Sequence, residues 1–262
     1  MMDVGHDILA AASGSLVGFT LGLIGGGGSI LAVPLLIYVV GVSSPHIAIG
    51  TSAIAVATSA AANLFGHARL GTVRWPCALV FAAAGVGGAA AGAHLGKLVD
   101  GHRLLALFGT LMIVIGASML RPRRHAGDPN VRLTRESAPR LLPLLVGLGF
   151  LVGLLSGFFG IGGGFLIVPG LMSATAMPLI NAIGSSLVSV TAFGLTTAVS
   201  YAWSGLVDWL LAGLFIAGGA VGGFAGIWAS HRLSGHKRAL SLVFATIVIA
   251  VGLYVVGTSL MP

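Results

Sequence analysis

Four consecutive glycines, Gly25, Gly26, Gly27 and Gly28, with Ser29 after them, interrupt an apolar run from Ile8 to Val40. Each glycine costs about 1 kcal/mol relative to alanine in a helix interior, so the helix is expected to break there. Pro34 follows. The same pattern returns as Gly160-Ile161-Gly162-Gly163-Gly164 with Pro169 behind it, and both glycines and prolines recur after 135 positions. Two broken apolar segments, one in each half of the chain, constrain the fold more than any other feature.

The runs around the breaks are continuous rather than alternating, which excludes a β-barrel. Hydrophobic residues make up 56% of the 262 positions and charged ones only 7%, against about 25% in a soluble domain. The chain therefore reads as an all-α polytopic membrane protein whose principal partner is the lipid bilayer. Its spans are a broken segment over 8–40 and helices over 47–65, 75–95 and 104–120. A second set follows: a broken segment over 141–177 and helices over 183–203, 209–230 and 239–260. Between them, 121–140 holds six arginines and three prolines and reads as a solvated linker. Residues 1–120 and 141–262 are expected to be two repeats. Gly50-Thr51-Ser52 matches Gly184-Ser185-Ser186, Gly71 matches Gly205, and Trp75 matches Trp209, all 134 positions apart. Gly85, Gly88 and Gly92 match Gly219, Gly222 and Gly226 at that spacing, and small residues of this kind suit close helix packing.

Charge decides the relative orientation of the repeats. With the linker placed in the cytoplasm and an even number of crossings in 141–177, eleven Lys and Arg fall inside and two outside. An odd number gives eight against five, and positive charge concentrates inside. The repeats are therefore expected to be inverted, with both termini outside. Each arm of a broken segment has about 16 apolar residues, short of the roughly 20 that cross a bilayer. A re-entrant hairpin is favoured over a steeply bent pair. The start, Met1-Met2-Asp3-Val4, lacks the basic stretch of a cleaved signal peptide.

Non-helical backbone at membrane depth is tolerated only inside protein or along a wet cavity. A break frees N–H groups at the positive end of the following helix, a ready site for an anion. The candidate binding residues are thus Gly25, Gly26, Gly27, Gly28 and Ser29 with Gly160, Gly162, Gly163 and Gly164. Thr51, Ser52, Ser185 and Ser186 stand at helix starts, either as caps or as donors to an oxyanion. Asn63 and Thr197 align deep in two spans, as ligand groups or as interhelical hydrogen bonds. His67 and Tyr201 also align; interfacial anchoring is favoured over proton coupling. All six acids lie at termini or in loops, which disfavours a proton pump or cation carrier and suits an anion. The single cysteine, Cys77, makes an internal disulfide impossible and reads as a packing residue. The histidines lack metal-ligand spacing, no cofactor motif occurs, and no catalytic motif is present. The net charge of +7 lies almost wholly in loops and follows from topology, not from nucleic-acid binding.

The repeated glycine clusters with their prolines, the Gly-Thr-Ser and Gly-Ser-Ser helix starts and the basic linker resemble the TauE/SafE (sulfite exporter) family. The resemblance covers nearly the whole chain and implies an inner-membrane permease for a small sulfur-containing or organic anion. One departure is Gly-Gly-Gly-Gly in the first cluster against Gly-Ile-Gly-Gly-Gly in the second, so the halves are expected to contact the ligand unequally. Export by alternating access leads; a proton- or sodium-coupled importer, a channel-like anion pore and a subunit of a larger complex are the alternatives. The choice of anion and the oligomeric state are left open.

Overall fold

The computed structural model describes residues 4–24, 26–120, 137–160, 162, 164–232 and 237–260. Among these the chain is helical throughout, with no strand. The linker over 121–136, and the calls on Gly25 and Gly163, lie outside the described residues. The first half comprises α1 (Val4–Ile24), a 3-10 segment (Gly26–Leu31), a single α turn α2 (Ala32–Pro34) and a π turn (Leu35–Val39). Then come α3 (Pro45–Arg69), α4 (Trp75–Leu98) and α5 (Gly101–Leu120). The second half comprises α6 (Ala138–Phe159), α7 (Gly164–Thr175), α8 (Leu179–Trp203), α9 (Trp209–Arg232) and α10 (Lys237–Leu260).

Eight of these helices are long and apolar enough to cross a membrane, four in each half. This corrects the expectation of two equally short arms. α1 and α6 have 21 and 22 residues, whereas the apolar stretches after the breaks, Gly28–Val39 and Gly164–Thr175, are short. The difference arises because both long helices start in polar sequence, at Gly5-His6-Asp7 and at Pro139-Arg140, outside the apolar runs. The other helices extend two to four residues past their apolar cores for the same reason. Side chains cap them: Asp100 Oδ1 accepts from the N–H groups of His102 and Arg103, and Asp208 Oδ1 accepts from that of Leu211.

α3 and α8 are the most buried spans and pack against each other at the centre. Around them α1 lies along α9, α4 along α6, and α5 along α10. Glycines set the registers. Gly85 meets Gly153 while Gly88 faces Phe150 and Leu154, and Gly92 faces Leu154 and Phe158, so α4 and α6 run parallel. Gly14 against Phe215, Gly18 against Gly219 and Gly226 against Phe19 make α1 and α9 parallel in the same way. By contrast, Gly109 meets Gly252 and Gly116 meets Ala245 and Ile249, so α5 and α10 run antiparallel. Gly50 touches Tyr201 and Gly194 touches Ala57, which gives α3 and α8 the same antiparallel sense. In each glycine contact backbone approaches backbone, where lipid offers no hydrophobic drive and dispersion between close helices takes over.

The outer surface is apolar. Trp203, Phe224 and Val221 are exposed, and Trp75 and Trp209 sit at helix ends, a disposition that suits contact with acyl chains and headgroups. Cys77 is buried in the core, as its reading as a packing residue requires.

A side chain on a packing glycine has nowhere to go. Gly88→Val would drive Cβ into the Phe150 carbonyl, and Gly222→Val into that of Ser15. Each substitution is expected to lower the melting temperature in detergent, at a cost of about 1–3 kcal/mol or more. Gly147→Ala, with nothing within 4 Å, is expected to leave it unchanged or slightly raised. Equal melting temperatures for all three would contradict the glycine registers.

Candidate functional site

The second break is built by left-handed glycines. Gly160 ends α6 at φ +65°, and its N–H donates to the Ser156 carbonyl, the usual way for a helix to terminate on a residue without Cβ. Gly162 follows at φ +63°. A Cβ on Gly160 would enter Ile49, and one on Gly162 would lie 2.7 Å from Val56 and 3.3 Å from Val190. Val56 and Val190 are each the twelfth residue of a 25-residue span and Ile49 is the fifth, so the break runs from near the start of α3 at Gly160 to mid-depth at Gly162. Gly164 then opens α7, whose first-turn N–H groups have no acceptor within the helix itself. α7 carries Pro169 within it and packs on α8.

The first break is different in form. Gly26, Gly27, Gly28 and Ser29 lie in the 3-10 segment, a tighter coil that leads through α2 into the wider π turn. Gly28 folds back on α1, where a Cβ would stand 2.5 Å from Thr20 Oγ1, and Ser29 is wholly buried. The 3-10 segment contacts α7 directly, so the arms that follow the two breaks meet.

The paired hydroxyls divide into two roles. Thr51 Oγ1 accepts from the Asp208 N–H at 3.1 Å, and Ser185 Oγ accepts from the Arg74 N–H at 2.8 Å. Each is made by one half of the chain to the residue that precedes a helix of the other half. Ser52 Oγ and Ser186 Oγ instead donate to carbonyls of their own helices, Ile49 at 3.0 Å and Ile183 at 2.8 Å. Asn181, which the sequence reading passed over, joins the same interface by donating to the Thr72 carbonyl at 2.9 Å.

Asn63 is half-buried on α3, whereas Thr197 is wholly buried and its hydroxyl has no partner. Tyr201 is also fully buried, which overturns its reading as an interfacial anchor. It is enclosed because Gly50 and Gly96 admit its side chain between α3 and α4. Lys97 Nζ lies 5.8 Å above its ring and donates to the Ser200 carbonyl and to Ser204 Oγ, at the negative end of α8. His67 Nδ1 lies 2.9 Å from Thr72 Oγ1. Two further buried hydroxyls without partners, Ser156 and Ser189, were missed. Ser189 stands eight residues before Thr197, on the same helical face, and that spacing was the available signal.

At one end of the molecule a cavity of about 540 Å³ opens between the starts of α1, α3 and α9. His6, Asp7, Ser43, Ser44 and Asp208 line it. Among the described residues, no group of three or more His, Cys, Asp or Glu side chains is arranged to hold a metal.

Comparison with known proteins places these features in context. The profile of the family described as Sulfite exporter TauE/SafE matches residues 10–255. A probable membrane transporter protein of Xylella fastidiosa (strain 9a5c) is 54% identical over 258 residues, covering 98% of each chain. The probable membrane transporter protein YunE of Bacillus subtilis (strain 168) is 27% identical, over 94% of this chain and 95% of its own. No solved structure was found to match.

The cross-repeat hydrogen bonds carry a test. Thr51→Val and Ser185→Ala each remove the acceptor of a loop N–H and are expected to cost about 1–3 kcal/mol in thermal unfolding. Ser52→Ala and Ser186→Ala remove only a bond within one helix turn and are expected to cost less. Equal losses in the two sets would mean that the inter-repeat contacts contribute nothing.

Proposed function

The chain belongs to the Sulfite exporter TauE/SafE family, and on that premise we propose that it exports a small sulfur-containing or organic oxyanion by alternating access. It is a multi-pass integral membrane protein and a membrane transporter. The observation that carries the finer reading is the meeting of two glycine-broken arms beside the most buried helices, with Gly162 at mid-depth. Free N–H groups at the start of α7 supply positive potential there without a formal charge. Discontinuous helices at the interface of two repeats are the recurrent plan of secondary transporters. The protein is a permease, not an enzyme, under this reading, and needs no cofactor.

The repeats are inverted, 1–120 against 141–262, with the linker cytoplasmic, both termini outside and the bacterial inner membrane as location. Helix directions support this reading. The equivalent helices α3 and α8 run antiparallel, as do α5 and α10, while α6 runs with α4 and α1 runs with α9. Short loops reverse the chain between α3 and α4, so α6 and α8 point the same way. The segment from Gly160 to Pro178 must then bring the chain back, which makes α7 the returning arm of a hairpin. The same argument makes Gly26–Val39 the returning arm of the first half.

The membrane potential, inside negative, favours anion exit by about 2.3 kcal/mol per charge per 100 mV, so export requires no coupling ion. Flux of sulfite or sulfoacetate from proteoliposomes is expected to rise when the potential is imposed with the cytoplasmic face negative and to fall when it is reversed. Flux indifferent to the sign would reject electrogenic export. A second reading, import coupled to protons or sodium, draws on the cavity lined by His6, Asp7 and Asp208. It predicts uptake that follows an imposed pH or sodium gradient instead.

Topology has its own check. Leu70 and Ser204 occupy equivalent positions in the two repeats. Cysteines placed there are expected to react with a membrane-impermeant maleimide from opposite faces, Leu70→Cys inside and Ser204→Cys outside. Labelling of both from one face would refute inversion.

A further inference from the structure

Serine and threonine in a span ordinarily return their hydroxyl to a carbonyl of the preceding turn. In α8 this holds for Ser186, for Thr191 with Leu187 and for Thr196 with Ala192. It fails for Ser189 and Thr197, which are wholly buried with no partner, and for Ser156 on α6. Tyr201 has a buried, unpartnered phenol as well, and among the described residues Ser259 on α10, which packs on α5, is the fifth such hydroxyl. Ser189, Phe193, Thr197 and Tyr201 follow one another at intervals of four, so they form one row along α8.

The registers bring Ser156 to the depth of this row's far end. Gly85 touches Phe193 and Gly149 together, and Gly96 touches Phe158 and Tyr201 together. The stretches 149–158 of α6 and 193–201 of α8 therefore lie at the same depth along α4, with Ser156 and Thr197 both inside that shared interval. Ser189 precedes Val190, the residue that meets Gly162 at the break. Phe193 divides the row, stacked on Phe81 with ring centroids 6.4 Å apart. The equivalent positions in the first half hold Leu21 for Ser156, Ala55 for Ser189, Asn63 for Thr197 and His67 for Tyr201. Buried hydroxyls without partners are thus concentrated in one half of a duplicated protein.

Resting on the anion-permease reading above, we infer that Ser156, Ser189 and Thr197 are donors to the transported oxyanion, and that they form its path through the second half between the Gly162 break and Tyr201. A hydroxyl donates readily to an anionic oxygen and imposes no charge of its own, so the ligand is held without being trapped. Buried polar groups are ordinarily satisfied, and three unpartnered hydroxyls on two helices that both pack on α4 call for an occupant that both binds and leaves.

The test uses the full chain, purified and reconstituted. Thr197→Val keeps the side-chain shape and removes the hydroxyl; Ser156→Ala and Ser189→Ala do the same for the others. Each is expected to raise the KM for sulfite, thiosulfate or sulfoacetate flux roughly ten- to a hundred-fold, the equivalent of one lost hydrogen bond to a charged group. Each is also expected to weaken the thermal shift that the same anion produces. Thr197→Ser should keep both responses, and Thr196→Val, whose hydroxyl bonds its own helix, should match the wild type. The melting temperature without anion should be equal or higher in Thr197→Val, since the lost hydroxyl had no protein partner. A lower one would mark a structural role and overturn the inference. Unchanged KM and thermal shift in all three variants would overturn it as well. A wild type that neither transports nor responds to any of the three anions would defeat the permease reading itself, and the inference with it.

Discussion

Hydrocarbon offers no partner to a free backbone N–H or C=O, and the rest of the structure follows from that constraint. A helix can stop inside a membrane only where protein surrounds the exposed groups. The two glycine breaks are accordingly placed in the interior, with Gly162 of the second against the midpoints of α3 and α8. Gly160 and Gly162 take left-handed conformations that side chains rarely adopt, and the valines and isoleucine around them occupy the space a Cβ would need. Burial of the breaks in turn requires the two central helices to be the most enclosed ones, which they are.

Around this centre the architecture relies on proximity more than on polar bonds. α4 with α6 and α1 with α9 approach until glycine faces carbonyl, turn after turn. Such ladders leave no room for side chains at the contact and explain the glycines of α1, α4, α6 and α9 that face a neighbouring backbone. Polar bonds between the repeats are concentrated instead at helix ends, where Thr51, Ser185 and Asn181 bind loop backbone and Lys97 binds the end of α8.

Much of this could be read from the chain. The spans, the breaks and the packing glycines all leave local marks, because apolar length and helix-breaking residues act within a few turns. The long first arms escaped notice since their ends are polar, and apolar length alone undercounts a helix that protrudes from the bilayer. Thr51 and Ser185 were ambiguous between cap and ligand group because the N–H they accept from lies in the other repeat, and only neighbour relations reveal it. Ser156 and Ser189 leave no mark in a comparison of the halves, because their counterparts are Leu21 and Ala55. Symmetry is a guide to the scaffold and a poor guide to where the halves diverge.

The reciprocal hydrogen bonds have a consequence for assembly. Thr51 on α3 accepts from Asp208, a residue 157 positions later, while the N–H of Arg74 waits for Ser185, 111 positions later. When the ribosome has delivered the first four spans, the glycine faces of α1 and α4 still lack α9 and α6. The first half therefore lacks these packing partners until the second half is threaded in beside it. Folding is in this sense a closure event late in synthesis, and each repeat acts as the other's missing half.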